Sequence, residues 1–520
     1  MFLTTQRVSK TLKVHASTDI DHLGIILVIQ EMARSSGARM DFGRIIRPRL
    51  IPAYSTLRFK SVLAFSLLTV LFSQIPTTIA QTISGKAPGF EGRMISLVVY
   101  DDLISEKENV LATCRVDGAG HFSLKAGFTE PQYAFLRCGR ECADLLMEPG
   151  KEYTVRFSRP VKAAAEETFA ARFTQKLEIL GGSGKPLNDE VRRFNDALDA
   201  FLEQQYKLLV MRKGAKAVGE ASKAFKAKMA VDFASASAYL ETHITYSIAQ
   251  AEAVAQVRRD SLHQRYLTGK WFPNSLEYVR FLNDFHSGVL RQKAKADPKA
   301  MQRMVNAPDA LVQLETLLGT DPLLKDPRIR GFVLVSGLRD LFAFKDIDPR
   351  RTAALLSQYA DRTSDGYLAR AARNVAELNT RLLPGAPAPR LVLNHNKGGL
   401  FDLKEQNGRI VVVEFTDPQN PLCLEESIAF GNLYKTYGSK MEFVTVCIAP
   451  SEAGVKDYVG RINPKWTVCR TPIDSEIVAD FGLVGVPTYY IIGPTGKLLN
   501  SPALTPSRGL EGDLIKAIKK

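Results

Sequence analysis

Six cysteines carry the broadest chemistry in this sequence: Cys114, Cys138, Cys142, Cys423, Cys447 and Cys469. A thiol can pair as a disulfide, ligate zinc or, once ionised, attack another sulfur. The spacing argues against zinc, because only Cys138 and Cys142 lie close together and no pair of histidines accompanies them. Those two bracket Gly139-Arg140-Glu141, where a disulfide across a turn and two unpaired structural thiols are both open readings. Cys447 and Cys469 fall on successive segments of the C-terminal part, where a disulfide and two buried thiols are again both open. Cys423 ends the stretch Asn420-Pro421-Leu422-Cys423 near the start of a helix-length segment, with Glu426 three residues on. Nothing in the sequence calls for a cofactor or a metal.

The compartment decides what these thiols can do. Residues 57–80 read LRFKSVLAFSLLTVLFSQIPTTIA: the cations Arg58 and Lys60, an apolar run from Val62 to Phe72, then small residues ending at Ala80. That order predicts a secretory signal peptide cut before Gln81. An uncleaved anchor is the alternative, but the run falls short of the roughly 20 residues that span a bilayer. A signal belongs at the N-terminus, so residues 1–56 read as an unassigned extension from a misassigned start, with translation beginning at Leu57. A genuine extension is the other reading. No cysteine near the cut offers a lipid acceptor, so the product is expected to be periplasmic or secreted, with no stable membrane span. All six cysteines would then lie where disulfides form and persist.

Composition narrows the class. At 520 residues, 45% hydrophobic and 24% charged, the chain has ordinary globular usage and room for two to four domains. Its net charge of +14 is partly N-terminal, since residues 1–80 hold ten Lys/Arg against four Asp/Glu and leave +8 for the rest. The remainder mixes signs without a dense basic block or an aromatic-basic motif, which excludes nucleic acid as a partner.

The elements fall into three regions. Residues 81–160 alternate short apolar runs with turn residues such as Asp117-Gly118 and Pro149-Gly150, predicting a small antiparallel β domain, sandwich-like. Residues 165–383 change period: Val191, Phe194, Leu198, Phe201 and Leu202 mark an amphipathic helix opening at Asn188 as its N-cap. Leu368, Ala371, Val375, Leu378 and Leu382 mark a last one that stops before Pro384. No fixed repeat appears, so the middle is an irregular α-helical region, and its Trp271 and scattered histidines read as core and surface. Pro384-Gly385-Ala386-Pro387-Ala388-Pro389 marks a linker. Beyond it, strand-like Ile410–Phe415 and Met441–Ile448 alternate with helix-like segments, predicting an α/β domain over 385–520.

In that domain the sequence resembles the envelope thioredoxin-like proteins of the TlpA and ResA type, over about a quarter of the chain. The marks are Gly385-Ala386-Pro387, Gly408-Arg409, the strand end Glu414-Phe415 and, most specific, Gly485-Val486-Pro487-Thr488. The resemblance implies a thioredoxin fold in which Val486-Pro487 is a cis peptide. It would face the redox motif and serve as a backbone platform for an extended protein or peptide segment, among them a thiol-bearing envelope protein. It implies two thiols on the first turn of a helix, an exposed low-pKa attacker and a buried resolver. Aligning Phe415 with the family's strand end puts these at 420 and 423, where Asn420 and Cys423 stand. The motif is degenerate, because an amide cannot exchange disulfides.

What remains in that register is a half-site. Cys423 is of the resolving type, Glu426 matches the ResA-type acid and Glu414 the buried acid of thioredoxins; either carboxylate could manage the thiol's proton or be an ordinary solvated or paired acid. The resemblance therefore implies an exported thioredoxin-fold protein acting as a binding or altered-redox module. An active thiol-disulfide oxidoreductase working through Cys423 alone is the alternative. A peroxidase is a third, suggested by the Cys-x-x-Glu of Cys423 and Glu426 but weakened by Asn420 and Thr416 where peroxiredoxins carry Thr and Pro.

Overall fold

The computed structural model describes residues 79–158, 173–175, 177–210, 215–255, 257–293, 299–449 and 451–519. The expected extension and all but the last two residues of the expected leader lie outside them. Those two, Ile79 and Ala80, already pair with Phe128 and Gly127, so the first strand begins ahead of the expected cut at Gln81.

Among the described residues nine strands form the N-terminal region: β1 Ile79–Lys86, β2 Met94–Tyr100, β3 Glu108–Arg115, β4 His121–Phe128, β5 Gln132–Cys138, β6 Glu141–Met147, β7 Glu152–Arg156, β8 Phe173–Gln175 and β9 Glu178–Gly181. They make two sheets, β4-β1-β7-β9 and β3-β2-β5-β6-β8. The alternation within each strand turns one set of side chains inward, so Ile83, Leu97, Leu124, Leu136, Tyr153 and Val155 share one core with Phe90 and Phe157.

Three expectations need correction here. The region is not purely antiparallel, because the chain returns β7 beside β1 and β8 beside β6 in parallel pairs. It does not end at 160, because β9 adds to the edge of β7, so two short strands stand where helix was expected. Helix begins at Lys185, and Asn188 is inside its first turn, not at its cap. The Asn188 amide instead mimics a peptide group: its Nδ2 donates to Leu146 O at 2.8 Å and its Oδ1 accepts from Leu146 N at 3.0 Å. The turn at Asp117 also differs in detail. Asp117 Oδ1 accepts from Ala119 N and His121 N, and the positive φ falls on Gly120 and not on Gly118.

The middle region runs in helices from Lys185–Val210 to Gly366–Thr380. Its starts are chemically explicit. Asp326 accepts from Arg328 N and Asp348 from Arg350 N, with Pro327 and Pro349 at the first helical position, where a missing N–H costs nothing. Trp271 packs edge-on against Tyr278 and Tyr367. The buried His243 sits between Asn195 and Glu277, with Nδ1 3.0 Å from Glu277 Oε1.

A polar clasp joins the sheets to these helices. Asp102 is 2% exposed, and its carboxylate accepts from Ile104 N, Ser105 N, Ser105 Oγ and Asn374 Nδ2. Leu103 N donates to Tyr367 Oη, and Lys107 pairs with Glu377. A buried carboxylate is tolerable only when its oxygens are satisfied, so this loop is fixed against the last helix.

The C-terminal region has a small hairpin, β10 Val392–Asn394 and β11 Leu400–Asp402, and five further strands: β12 Ile410–Thr416, β13 Met441–Ile448, β14 Thr467–Thr471, β15 Thr488–Ile492 and β16 Leu498–Ala503. The five make one sheet in the order β14-β13-β12-β15-β16. The first three are parallel, β15 runs against them, and β16, antiparallel to β15, runs with them again. The Pro-rich segment expected as a linker is stitched to this sheet: Gly385 N donates to Leu498 O and Ala388 N to Gly496 O.

Replacing Asn374 with alanine removes a donor from a buried carboxylate, and the expected loss is about 1–3 kcal/mol. Urea unfolding followed by tryptophan fluorescence should show an earlier transition for Asn374→Ala, with no shift for the exposed Gln204→Ala.

Candidate functional site

β12 ends at Thr416, a loop of Asp417, Pro418 and Gln419 follows, and the helix Pro421–Tyr437 begins. The loop is built by its own side chains. Asp417 Oδ1 accepts from Gln419 N at 2.8 Å, and Asn420 Oδ1 accepts from Leu422 N at 3.0 Å. Asn420 is therefore the N-cap of this helix, with extended backbone and Pro421 directly after it. Asparagine is among the best residues for that task, so the position where the resemblance expects an attacking sulfur is filled by a side chain that satisfies an orphan helix donor.

Cys423 lies one turn in, facing the sheet, with no exposed surface. Burial pushes its thiol above the ordinary range; the Asp417 N–H and the Thr416 hydroxyl pull the other way, and the Asp417 and Glu414 carboxylates add to the rise. This is a neutral thiol at physiological pH, a form that is a poor nucleophile.

Glu414 is fully buried one face below. Its register explains its company, because its Cα partners are Thr445 in β13 and Tyr489 in β15, and cross-strand partners share a face. Thr445 Oγ1 donates to it at 2.6 Å and Tyr489 Oη at 2.8 Å. Ser427, on the Cys423 face of the helix, donates at 2.8 Å, and Tyr458 Oη from the helix Glu452–Ile462 reaches it at 3.3 Å. Trp466 Nε1 donates to Thr445 Oγ1 at 2.8 Å and fixes its direction. Burial still dominates and holds the Glu414 carboxyl above its ordinary value, with the four hydroxyls opposing. The solvated reading of Glu414 is thereby corrected.

Glu426 does not join this group. It turns to the short turn Pro506–Arg508, where it accepts from Ser507 N at 3.1 Å and from Ser507 Oγ. The carboxylate that acts on Cys423 from the loop is Asp417, which the sequence reading did not single out; its signal was only its place three residues before the cap.

The Val486-Pro487 peptide is cis, as expected. Phe415 pairs with Thr488, so this peptide stands against the end of β12 where the loop to Asn420 begins. Leu422, two residues after the cap, and Val484, two residues before the cis peptide, are large apolar side chains left 66% and 81% exposed.

Neither of the expected disulfide readings fits the registers. Val446 is the partner of Cys469, so Cys447 and Cys469 project from opposite faces of the sheet and lie in different clusters. Arg137 is the partner of Cys142 and Cys138 that of Glu141, which separates Cys138 and Cys142 in the same way. Sulfurs on opposite faces cannot meet without backbone movement.

No protein-family model matches the chain. It is similar over 136 residues, 24% identical, to the thiol-disulfide oxidoreductase ResA of Bacillus subtilis (strain 168), a match covering 26% of this chain and 75% of the relative. Over 118 residues it is 27% identical to ResA of Bacillus thuringiensis subsp. konkukian, covering 22% of this chain and 66% of that protein. Among solved structures, the thioredoxin domain of a thiol-disulfide oxidoreductase from Bacteroides vulgatus aligns at 21% identity, over 26% of this chain and 96% of that one, with a TM-score of 0.24. A thiol-disulfide oxidoreductase from Bacteroides fragilis aligns at 19% identity, over 25% and 98%, with a TM-score of 0.23. The expected resemblance to TlpA/ResA-type thioredoxin-like domains holds for this quarter of the chain.

Two outcomes test the geometry. Asn420→Ala should lose about 1 kcal/mol through the missing cap, and Asn420→Asp should lose much less; urea midpoints measure both. Because the folded pKa of Glu414 lies above its ordinary value, the native state holds this proton more tightly than the unfolded chain. Its contribution is full below about pH 4.5 and falls as pH rises through the folded value. Paired urea titrations should show wild type losing stability relative to Glu414→Gln as pH rises above that point.

Proposed function

We propose that this is an exported thioredoxin-fold protein of the bacterial envelope that binds a protein or peptide segment at the Val486-Pro487 edge and lacks ordinary dithiol exchange. Three regions make up the mature chain in this reading: the sheet region, the helical middle and the thioredoxin-like domain from 385 onward. The leader-like residues 57–80 support export, and among the described residues no helix is long and apolar enough to cross a membrane. One observation carries the functional part. The carboxamide of Asn420 caps the helix where exchange needs a thiolate, and the nearby sulfur, Cys423, is buried with its proton held on. A thiol in that state is a poor nucleophile toward disulfides or peroxide, which weighs against the peroxidase reading. The exposed Leu422 and Val484 beside the platform suit an apolar extended partner.

A second reading keeps one observation in its favour. The relatives are thiol-disulfide oxidoreductases by name, and the hydroxyl cage of Glu414 under Cys423 is complete, so an active oxidoreductase working through the single Cys423 thiol is its alternative.

Insulin-disulfide reduction separates the two. The wild-type protein should show no turnover above background, Asn420→Cys should gain it, and Cys423→Ser should then abolish the gain. Robust turnover by wild type that vanishes in Cys423→Ser would establish the oxidoreductase instead.

A further inference from the structure

The sheet region touches the thioredoxin-like domain at one place that the functional reading does not use. Arg93, just ahead of β2, forms an ion pair with Asp474 in the loop that follows β14. The two side chains are only 32% and 17% exposed. The two-residue turn of the β5–β6 hairpin closes over this pair. Gly139 there has φ +64°, and any side chain at 139 would run into Asp474 Oδ2 and Arg93 Nη2. Glycine is needed for both reasons. The 472–475 loop is itself fixed, since Thr471 Oγ1 donates to Ser475 Oγ at 2.7 Å and Ser475 caps the helix Glu476–Asp480.

The topology gives this seam its meaning. β12, β13 and β14 are parallel neighbours, so the loops leaving their ends share one rim of the sheet. β15 runs the other way and starts at the same rim, directly after Val486-Pro487. Across it in order stand Val486-Pro487, the Asp417–Asn420 loop, Ala449 and the Asp474 loop. Three strand spacings of about 4.8 Å separate the ends, roughly 15 Å or four to five extended residues. The hairpin tip of the sheet region is docked at the far end of that row.

We propose that the β5–β6 hairpin, held by the Arg93–Asp474 pair, forms the end wall of the partner site, so that the sheet region and the thioredoxin-like domain together bind one extended polypeptide segment. This rests on the binding reading above. A segment engaged at Val486-Pro487, with apolar side chains against Leu422 and Val484, reaches the hairpin within about five residues. The sheet region is then a specificity element of the site and not a remote appendage.

The test uses the full chain and reduced, carboxymethylated insulin B chain, an extended polypeptide without thiols, with affinity measured by calorimetry. Val486→Asp should abolish binding. Arg93→Glu, which sets two carboxylates against each other, should weaken it by about five-fold or more, the effect of losing one wall contact. The charge swap Arg93→Glu with Asp474→Arg should restore affinity to within about two-fold of wild type, which a merely unfolded variant would not do. Wild-type affinity in Arg93→Glu, with Val486→Asp still inactive, overturns the end wall and leaves the binding reading standing. Weakening that the swap does not rescue also overturns it. Absence of B-chain binding by wild type overturns the binding reading itself, and the wall with it.

Discussion

A carboxylate with no exposed surface lies under the first turns of the site helix, and the packing around it follows from the need to satisfy it. Glu414 draws a hydroxyl from each neighbouring strand, one from the helix above and one from the helix beside it. Leaving such a group without donors in a low-dielectric interior is costly, far more than any one of these hydrogen bonds contributes net. β12, β13, β15 and two helices are therefore held in one arrangement, and with them Cys423, the 417–420 loop and the cis peptide at 486–487. Burial still wins over the four donors and raises the pKa, so the caged carboxyl holds a proton more tightly than a solvated one would.

Asn420 sits at the junction of stability and chemistry. A helix N-terminus both needs an acceptor for its free N–H groups and lowers the pKa of a thiol placed there. The asparagine serves the first need and forgoes the second. Cys423, a turn further on, gains little from that end of the helix because desolvation outweighs it. The site thus keeps the helix, loop and cis peptide in place while Cys423 holds its proton, the state least suited to attack.

The regions of the chain are joined by few but specific polar contacts. Asp102 and Asn374 lock the sheet region to the last middle helix, and Arg93 with Asp474 brings the β5–β6 hairpin to the rim of the C-terminal sheet. Neither contact carries a sequence signal, since each pairs residues hundreds of positions apart that look like ordinary surface polar groups. The same holds for the cage of Glu414. Thr445 and Tyr489 became its partners only through strand register, and a shift of one residue would have turned both away. Register also removed the disulfide readings, which spacing along the chain had left open. Glu426 shows the converse: its distance of three from Cys423 suggested partnership, yet the turn at Ser507 competes for it and wins.

Local physics, which the sequence carries in full, set the periodicity of strands and helices, the proline-rich entry to the last domain, the Val486-Pro487 mark and the helix-capping asparagine at 420. Where each strand stops, which face each cysteine takes and which acid meets which hydroxyl depended on contacts between distant segments, because burial and register are properties of neighbours in space. The sequence alone therefore determined that an asparagine and not a cysteine stands three residues before Cys423. Only the tertiary structure decided that Cys423 is buried on the sheet-facing side of a helix that Asn420 caps.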